Sequence, residues 1–256
     1  MTRTISPIDE DLLDVATSLV RRAGQLALQW FQSSDLAIER KVDGSPVTEA
    51  DKAVEAFLRS ELEKLFPDDA IVGEEHEDTA GSSGRTWVID PIDGTKAFTR
   101  GVPLFTNLLA LNDEQGPAIG IVNAPAANEL VAAGRGLGCT WNGSPCGVST
   151  KNNLRGAVVT TSGYDYWKKA DVDAVYASGA QMRTWGDGYG YILVATGRAE
   201  AMIDPGLKPW DVAPMNVIIP EAGGTITNFS AQDRPDAGDI VASNGLIHSD
   251  VLALLQ

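Results

Sequence analysis

The chain has 256 residues, and its 20 lysine and arginine residues against 35 aspartate and glutamate residues give a formal net charge of −15. Binding to nucleic acid or to an anionic membrane surface needs a dense positive surface, so this charge argues against both partners. Hydrophobic residues make up 43% of the sequence, which is too many for a disordered acidic segment. The composition therefore indicates an acidic globular protein with a packed core.

The sequence holds few groups that bind soft metals or form disulfides. Its two cysteines, Cys139 and Cys146, and its two histidines, His76 and His248, are too few for a disulfide framework, a zinc site or a multi-histidine metal site. The N-terminal residues show no apolar signal-peptide core, and no apolar run reaches the roughly 18 residues that a membrane span needs. We therefore expect a cytoplasmic protein whose thiols are reduced.

Apolar periodicity predicts two helices in the first third of the chain. Apolar side chains at three- and four-residue steps predict a helix over residues 8–32. A second helix is predicted over residues 48–66. Its start carries Thr48 and Asp51 at the spacing of a capping box, and Pro67 follows its last turn.

Beyond residue 86 the pattern changes to short apolar segments separated by glycine, proline and asparagine. We predict adjacent strands of one sheet at residues 87–89, 105–111, 118–122 and 130–133. Strands then alternate with helices, the strands at 158–161, 201–203 and 240–242 and the helices at 171–178, 188–196, 211–222 and 249–255. These elements predict one compact unit of two closely packed lobes, an N-terminal α+β lobe at 1–155 and a C-terminal α/β lobe at 156–256.

The strand predicted at 87–89 leads into an acidic turn. Asp90 stands at the carboxyl end of that strand, and Asp93 follows as the expected N-cap of a short helix. Two carboxylates at a strand end suit Mg²⁺, and the free N–H groups of a helix start suit a phosphate. An Asp-Pro-x-Asp-Gly sequence alone is also typical of an ordinary turn. The strand before it and Gly94–Thr95 after it favour a site.

Two further segments place carboxylates after apolar residues. Glu74 and Glu75 follow a short predicted strand at 71–73, and Asp211 follows Trp210 at the start of a predicted helix. Each has a simpler interpretation when taken alone, a solvated loop for the glutamates and a plain N-cap for Asp211.

Taken together, these segments resemble the inositol monophosphatase superfamily of Mg²⁺-dependent, lithium-sensitive phosphatases. Four motifs occur in the family's order, at residues 47–51, 73–75, 87–98 and 210–224. The sequence departs from the family pattern at Pro220, which removes a backbone N–H late in the predicted helix 211–222. The resemblance implies a phosphomonoesterase that uses an activated water and forms no covalent intermediate.

The same resemblance implies a fold and a set of residue roles. The fold is α/β (α+β), a layered αβαβα sandwich of the inositol monophosphatase and fructose-1,6-bisphosphatase type, assembled as a homodimer. The ligands of two or three Mg²⁺ ions would be Glu74, Asp90, the carbonyl of Ile92, Asp93 and Asp211. The phosphate would be bound by Asp93, Gly94 and Thr95, and the attacking water would be oriented by Asp51, Glu74 and Thr95.

Residues 183–191 and 197–205 resemble the branch of the superfamily that hydrolyses L-histidinol phosphate in histidine biosynthesis. Histidinol carries an ammonium group and an imidazole, so carboxylates at Asp187 and Asp204 would pair with its cationic groups. Arg183 is a further candidate contact for the small-molecule phosphate ester, and Asn107 is a candidate contact for the imidazole.

Other interpretations stay open at the level of sequence. Asp187 has an alternative role as the cap of a helix that begins at Gly188. The substrate could instead be inositol-1-phosphate, fructose bisphosphate or adenosine bisphosphate. The last two are strongly anionic, and Arg183, Arg198 and Lys208 are available to supply positive charge. A module that attaches to transcription machinery is the alternative outside catalysis. The negative charge and the complete carboxylate set argue against that module.

Overall fold

The computed structural model describes residues 6–34, 36–41 and 44–255, which form eight α-helices and fourteen β-strands. The helices are α1 (Glu10–Ala27), α2 (Glu49–Leu65), α3 (Thr95–Phe98), α4 (Lys169–Ala177), α5 (Asp187–Ala195), α6 (Pro209–Val212), α7 (Met215–Glu221) and α8 (His248–Leu252). The strands are β1 (Ile38–Arg40), β2 (Pro46–Thr48), β3 (Ala70–Gly73), β4 (Thr86–Asp93), β5 (Thr106–Asp113), β6 (Gly116–Ala124), β7 (Glu129–Gly134), β8 (Gly138–Trp141), β9 (Ser144–Pro145), β10 (Val158–Thr160), β11 (Gln181–Arg183), β12 (Ala201–Leu207), β13 (Thr225–Asn228) and β14 (Gly238–Ser243).

Two large sheets and three helical layers alternate through the molecule. Helices α1 and α2 cover one face of a seven-stranded sheet, and α5, α6 and α7 lie between its other face and a five-stranded sheet. Helices α4 and α8 cover the outer face of the five-stranded sheet. Each of the three helical layers packs through its own cluster of buried apolar side chains. The predicted αβαβα sandwich is confirmed.

The seven-stranded sheet contains the four strands predicted to be neighbours. Its order is β3-β4-β5-β6-β7-β8-β9, parallel between β3 and β4 and antiparallel elsewhere. The five-stranded sheet has the order β11-β10-β12-β14-β13, with β10 parallel to both of its neighbours. All strands of the first sheet precede residue 155 and all strands of the second follow it. The division into lobes at 1–155 and 156–256 stays a prediction, because α5–α7 contact both sheets.

The start of α2 is built as its sequence predicts. Thr48 Oγ1 accepts from the N–H groups of Ala50 and Asp51, and Asp51 Oδ2 accepts from the Thr48 N–H at 2.8 Å. This capping box holds the Asp51 carboxylate in the protein interior. The helix predicted at 8–32 ends earlier, at Ala27, where the chain turns before Gln32 at a positive φ of 63°.

The helix predicted over 211–222 is two helices. Pro214 is the N-cap of α7 and separates it from α6, because proline has no N–H to continue the hydrogen bonds of α6. Pro220 lies inside α7, one residue before its end. No helix among the described residues is long and apolar enough to cross a membrane.

Candidate active site

Three carboxylates meet at the edge between the seven-stranded sheet and the middle helical layer. Asp90 and Asp93 belong to β4, and Asp211 belongs to α6. One oxygen of each lies within 4.8 Å of the others. The family resemblance implied that these three residues would share a site, and the structure brings them together.

A bulge in β4 places the carboxylates of Asp90 and Asp93 on the same side of the sheet. Asp90 pairs with Leu108 of β5 and Asp93 pairs with Thr106, so three steps along β4 match two along β5. Residues three apart in a regular strand face opposite sides of the sheet, whereas one extra residue restores the same side. The bulge contains Pro91, which donates no hydrogen bond to the neighbouring strand.

The three carboxylates have very different partners. Asp93 Oδ2 accepts from the N–H of Gly188 at the start of α5 and from Thr106 Oγ1 at 3.0 Å. Asp211 Oδ2 accepts from the Lys208 N–H at 2.8 Å. Asp90 Oδ1 is buried and has no hydrogen-bond partner among the described residues. A buried acceptor without a donor is a ligand position that the protein itself does not fill.

Burial and mutual repulsion make these groups weak acids. Burial, then the charge of Glu74, raises the pKa of Asp90 well above its ordinary value. Burial, then the charge of Asp187, does the same for Asp93. Burial, then the charge of Asp93, raises the pKa of Asp211 to about 7. The site concentrates more negative charge than the protein offsets, and this favours a bound cation.

Glu74 stands in the loop after β3, as predicted, and it is held by a residue that the sequence did not single out. Lys41 Nζ lies 2.6 Å from Glu74 Oε1 and 2.6 Å from Glu75 Oε1. Burial lowers the pKa of Lys41, but its hydrogen bonds to the two glutamates outweigh burial and raise the pKa overall. Burial raises the pKa of Glu75 to about 7.

The predicted water-orienting pair is also assembled. Thr95 Oγ1 lies 3.4 Å from Asp51 Oδ1 and 3.0 Å from the carbonyl oxygen of Ile92. Burial raises the pKa of Asp51, although its hydrogen bonds with Thr48 lower it. The N-cap of α3 is Gly94 at a φ of 79°, and the predicted N-cap role of Asp93 is wrong, because Asp93 still belongs to β4.

A second acidic pair borders this centre. Asp187, the first residue of α5, has a positive φ of 51°, and its N–H donates to Ser162 Oγ at 2.8 Å. Ser162 in turn holds Asp204 through its N–H at 3.0 Å and its hydroxyl at 2.5 Å. Burial raises the pKa of Asp187 and of Asp204 to about 7 each, and the charge of Asp204 adds to the shift of Asp187. A Cβ added to Gly94 would lie 2.9 Å from Asp187 Oδ2, so this carboxylate lies beside the predicted phosphate site.

This carboxylate arrangement coincides with a full-length sequence match. The profile of the Inositol monophosphatase family matches residues 9–256. The chain belongs to the inositol monophosphatase family.

Relatives and solved structures of this family cover nearly the whole chain. The chain is 38% identical to the histidinol-phosphatase of Chlorobaculum parvum, over 95% of this chain and 96% of the relative. It is 36% identical to the histidinol-phosphatase of Mycobacterium tuberculosis, over 97% of this chain and 99% of the relative. The structure of an inositol monophosphatase from Thermotoga maritima superposes with a TM-score of 0.89 at 31% identity, over 96% of each chain. The protein is therefore a phosphatase.

Glycines of the phosphatase around Asp187 are required by packing. A Cβ on Gly188 would lie 2.3 Å from Thr106 Oγ1 and 2.9 Å from Asp93 Oδ2. A Cβ on Gly186 would lie 2.1 Å from the Cα of Ser162. Gly186 is the N-cap of α5 and makes no side-chain capping bond, so the alternative in which Asp187 caps a helix beginning at Gly188 is not observed.

The structure does not bring Arg183 and Asn107 to the carboxylates. The Arg183 guanidinium donates to the Met182 carbonyl at 2.7 Å and lies 5.8 Å from the centre of the exposed Trp185 ring. Asn107 is fully buried, donates to the Pro91 carbonyl at 2.6 Å, and accepts from Asn123 Nδ2 at 3.2 Å.

Asn107 also faces the wrong side of the sheet for a contact with the imidazole. It alternates along β5 with Thr106, whose hydroxyl bonds Asp93, so the two side chains point to opposite faces. A Cβ added to Gly24 of α1 would lie 2.9 Å from Asn107 Oδ1. The Asn107 amide therefore faces α1, and the expected contact with substrate is corrected.

A buried ion pair in α2 anchors the loop that carries Glu74. Glu55 accepts from the N–H of Glu75 at 2.8 Å and of His76 at 3.2 Å, and from Arg59 Nε at 2.7 Å. The side chain of Glu55 is fully buried. Because two backbone N–H groups of the loop end on one carboxylate, Glu55 sets the position of the neighbouring Glu74.

If Glu74 is a metal ligand, as the family resemblance implies, replacing Glu55 by glutamine is expected to weaken Mg²⁺ binding roughly tenfold, because residues that hold a metal ligand in place typically contribute that much. The amide removes one acceptor from the loop and leaves Arg59 without its counter-charge, which costs about 3–5 kcal/mol of stability. Isothermal titration with Mg²⁺ and thermal unfolding measure the two effects. Glu61→Gln, in the same helix but paired at the surface with Arg22 and Lys64, is the matched control. Unchanged Mg²⁺ affinity in folded Glu55→Gln would contradict this positioning role.

The raised pKa values predict a pH dependence of stability in metal-free protein. Asp187, Asp204 and Asp211 each have a folded-state pKa of about 7, above the unfolded value, so their contribution is full at low pH and is lost as pH rises through about 7. With a chelator, Tm should be higher by about 5 °C at roughly pH 6.5 than at roughly pH 8. Saturating Mg²⁺ should raise Tm more at the higher pH. A chelated Tm that does not change over this window would refute the prediction.

Proposed function

We propose that this phosphatase is a Mg²⁺-dependent histidinol-phosphatase, which hydrolyses L-histidinol phosphate to L-histidinol and phosphate. The observation that carries the proposal is the position of Asp187 and Asp204: Ser162 binds the Asp204 carboxylate and the backbone N–H of Asp187, and the Asp187 carboxylate lies beside Gly94. The histidinol-phosphatases among its relatives support the same substrate.

The carboxylate set fits Mg²⁺. Asp90 Oδ1 is buried without a partner among the described residues, and the oxygens of Asp90, Asp93 and Asp211 lie close enough to share a cation. We propose that these three residues, Glu74 and the Ile92 carbonyl hold two or three Mg²⁺ ions, because hard cations prefer oxygen ligands. When bound, Mg²⁺ supplies the positive charge that attracts the phosphate dianion and makes a water more acidic.

The residues around Asp51 are arranged to accept and direct a proton. Thr48 occupies Asp51 Oδ2 with two hydrogen bonds, so Oδ1 is the oxygen that faces Thr95. We propose that Asp51, with the Thr95 hydroxyl and with Glu74 nearby, orients the attacking water and takes its proton. Gly94 and Thr95 stand at the start of α3, where unpaired backbone N–H groups can bind phosphate oxygens.

The other end of the substrate explains the second acidic pair. L-histidinol carries an ammonium group and a titratable imidazole, and a buried carboxylate gains a charge-assisted hydrogen bond from either cation. Because the pKa values of Asp187 and Asp204 are raised to about 7, a cationic ligand would favour their ionised forms. An inositol ring offers only hydroxyl groups and does not need this pair.

Inositol-1-phosphate is the alternative substrate, and the structural likeness to the Thermotoga maritima enzyme favours it. Phosphate release from L-histidinol phosphate and from inositol-1-phosphate, measured side by side with Mg²⁺, separates the two. We expect kcat/KM to be at least about 10²-fold higher for L-histidinol phosphate, because the carboxylates find their cationic partners only in that substrate. A ratio of one or below would overturn the substrate proposal and leave the phosphatase activity in place.

The oligomeric state and the cellular location of the protein can also be tested. We propose a homodimer, as the family resemblance implies, and light scattering after gel filtration would measure its mass. A cytoplasmic location stays a prediction, which fractionation of the source cells would test.

A further inference from the structure

The two cysteines of the sequence face each other across the β8–β9 hairpin, and β8 lies four strands away from β4 in the seven-stranded sheet. Cys139 is in β8 and Cys146 follows β9, and the register of the hairpin pairs Thr140 with Pro145. One step further along, the Cys146 N–H donates to the Cys139 carbonyl at 3.0 Å. The two residues are therefore directly opposite, and their Sγ atoms lie 3.5 Å apart.

This geometry allows a covalent bond with little movement. Opposite residues of a hydrogen-bonded antiparallel pair have Cα atoms about 5.5 Å apart, within the range that a disulfide spans. The sulfurs need to approach by about 1.5 Å, which a small rotation of each side chain supplies. The hairpin keeps the second thiol beside the first without further ordering of the chain.

The two thiols differ in access and in acidity. Cys139 is buried in the apolar cluster of the middle layer, whereas Cys146 is partly exposed. The hydrogen bond with Cys139 lowers the pKa of Cys146, and the positive charge of Arg198 lowers it further. The hydrogen bond with Cys146 and burial raise the pKa of Cys139. An oxidant in solvent would therefore meet Cys146 first.

We propose that Cys139 and Cys146 form a reversible redox modification site, in which a hydroperoxide oxidises the pair to an intramolecular disulfide. The Cys146 thiolate attacks one oxygen of hydrogen peroxide and the O–O bond breaks. The released hydroxide takes up the proton that the thiol had lost, so the products are a sulfenic acid at Cys146 and one water. The Cys139 thiol then attacks the Cys146 sulfur, the S–O bond breaks, and a second water leaves. The two cysteine sulfurs are oxidised by two electrons, the peroxide is reduced by two, and a small dithiol reverses the reaction.

The bond would form next to the end of α7. Gly138 N–H donates to Glu221 Oε2 at 2.9 Å, and Val148 N–H donates to the Ala222 carbonyl at 3.0 Å. Both strands of the hairpin are thus tied to the C-terminal end of α7. Hydrogen exchange should change first at this junction when the pair is oxidised.

The test treats purified, chelator-washed protein with hydrogen peroxide and follows its thiols and intact mass. We expect both thiols to disappear together, a product with the mass of one chain lighter by two hydrogens and no disulfide between chains, and full recovery with dithiothreitol. In Cys139→Ala the sulfenic acid at Cys146 should persist and react with dimedone, and in Cys146→Ser the Cys139 thiol should stay reduced. Circular dichroism of each variant checks its fold.

Three results would overturn the proposal. The wild-type thiols could stay free at peroxide concentrations that oxidise glutathione. Disulfides could form only between molecules. Cys146 could also gain oxygen atoms in wild type and in Cys139→Ala alike, which would mean that Cys139 does not react with it. If Cys139→Ala does not fold, mapping the disulfide in wild type by peptide mass still decides between these results.

Discussion

Asp93→Asn is expected to lower kcat/KM by at least about 10³-fold while the protein stays folded. Asparagine keeps the shape of aspartate, and its Oδ1 still accepts from the Gly188 N–H or from Thr106. The change removes one negative charge from a cluster that we propose to bind Mg²⁺. Because it also relieves repulsion among buried acids, Tm in chelator should stay equal or rise.

Steady-state kinetics, Mg²⁺ titration calorimetry and thermal unfolding measure these effects in parallel. Asp14→Asn, at an exposed position of α1 on the opposite side of the sheet, removes the same charge far from the site and should behave as wild type. Substantial Mg²⁺-dependent turnover by Asp93→Asn would remove Asp93 from the proposed metal ligands.

Asp187→Asn is expected to lower kcat/KM for L-histidinol phosphate roughly 10²-fold more than for p-nitrophenyl phosphate, since a charged hydrogen bond contributes about 1.5–3 kcal/mol. The substitution keeps the backbone N–H that binds Ser162 and removes only the charge beside Gly94. A substrate without a cationic group has no contact to lose.

The comparison depends on the ratio of the two substrates within each variant. Asp14→Asn again serves as the matched control, and its ratio should equal that of wild type. Equal losses on both substrates for Asp187→Asn would assign Asp187 to the common phosphate chemistry and not to specificity.

Local patterns in the sequence predicted the parts of the site that lie within single segments. The capping box of Thr48 and Asp51, the strand leading to Asp90 and the glutamates after β3 each follow from residues close together in the chain. The proximity of Asp211 to β4 came from the family resemblance, because no local pattern reports a distance between α6 and a strand.

What the sequence did not predict depends on tertiary geometry. Lys41, Glu55 and Ser162 hold the site through contacts over 20 or more residues of chain, and no local spacing marks them. Asn107 is the reverse case, a residue that was predicted to contact substrate and does not lie at the site. Its strand was predicted, but the face on which its side chain lies depends on the pairing between β5 and its neighbours, and it proved to face α1.

The bulge in β4 determines on which side of the sheet the Asp93 side chain lies. If the three steps of β4 from Asp90 to Asp93 paired regularly with β5, the two side chains would lie on opposite faces of the sheet. Such a strand would keep every residue of the motif, so a search by residue identity would still find it. The irregular hydrogen-bond ladder is thus the feature that places both proposed metal ligands on one side of the sheet, and we expect a relative whose strand keeps both aspartates but pairs regularly here to be inactive.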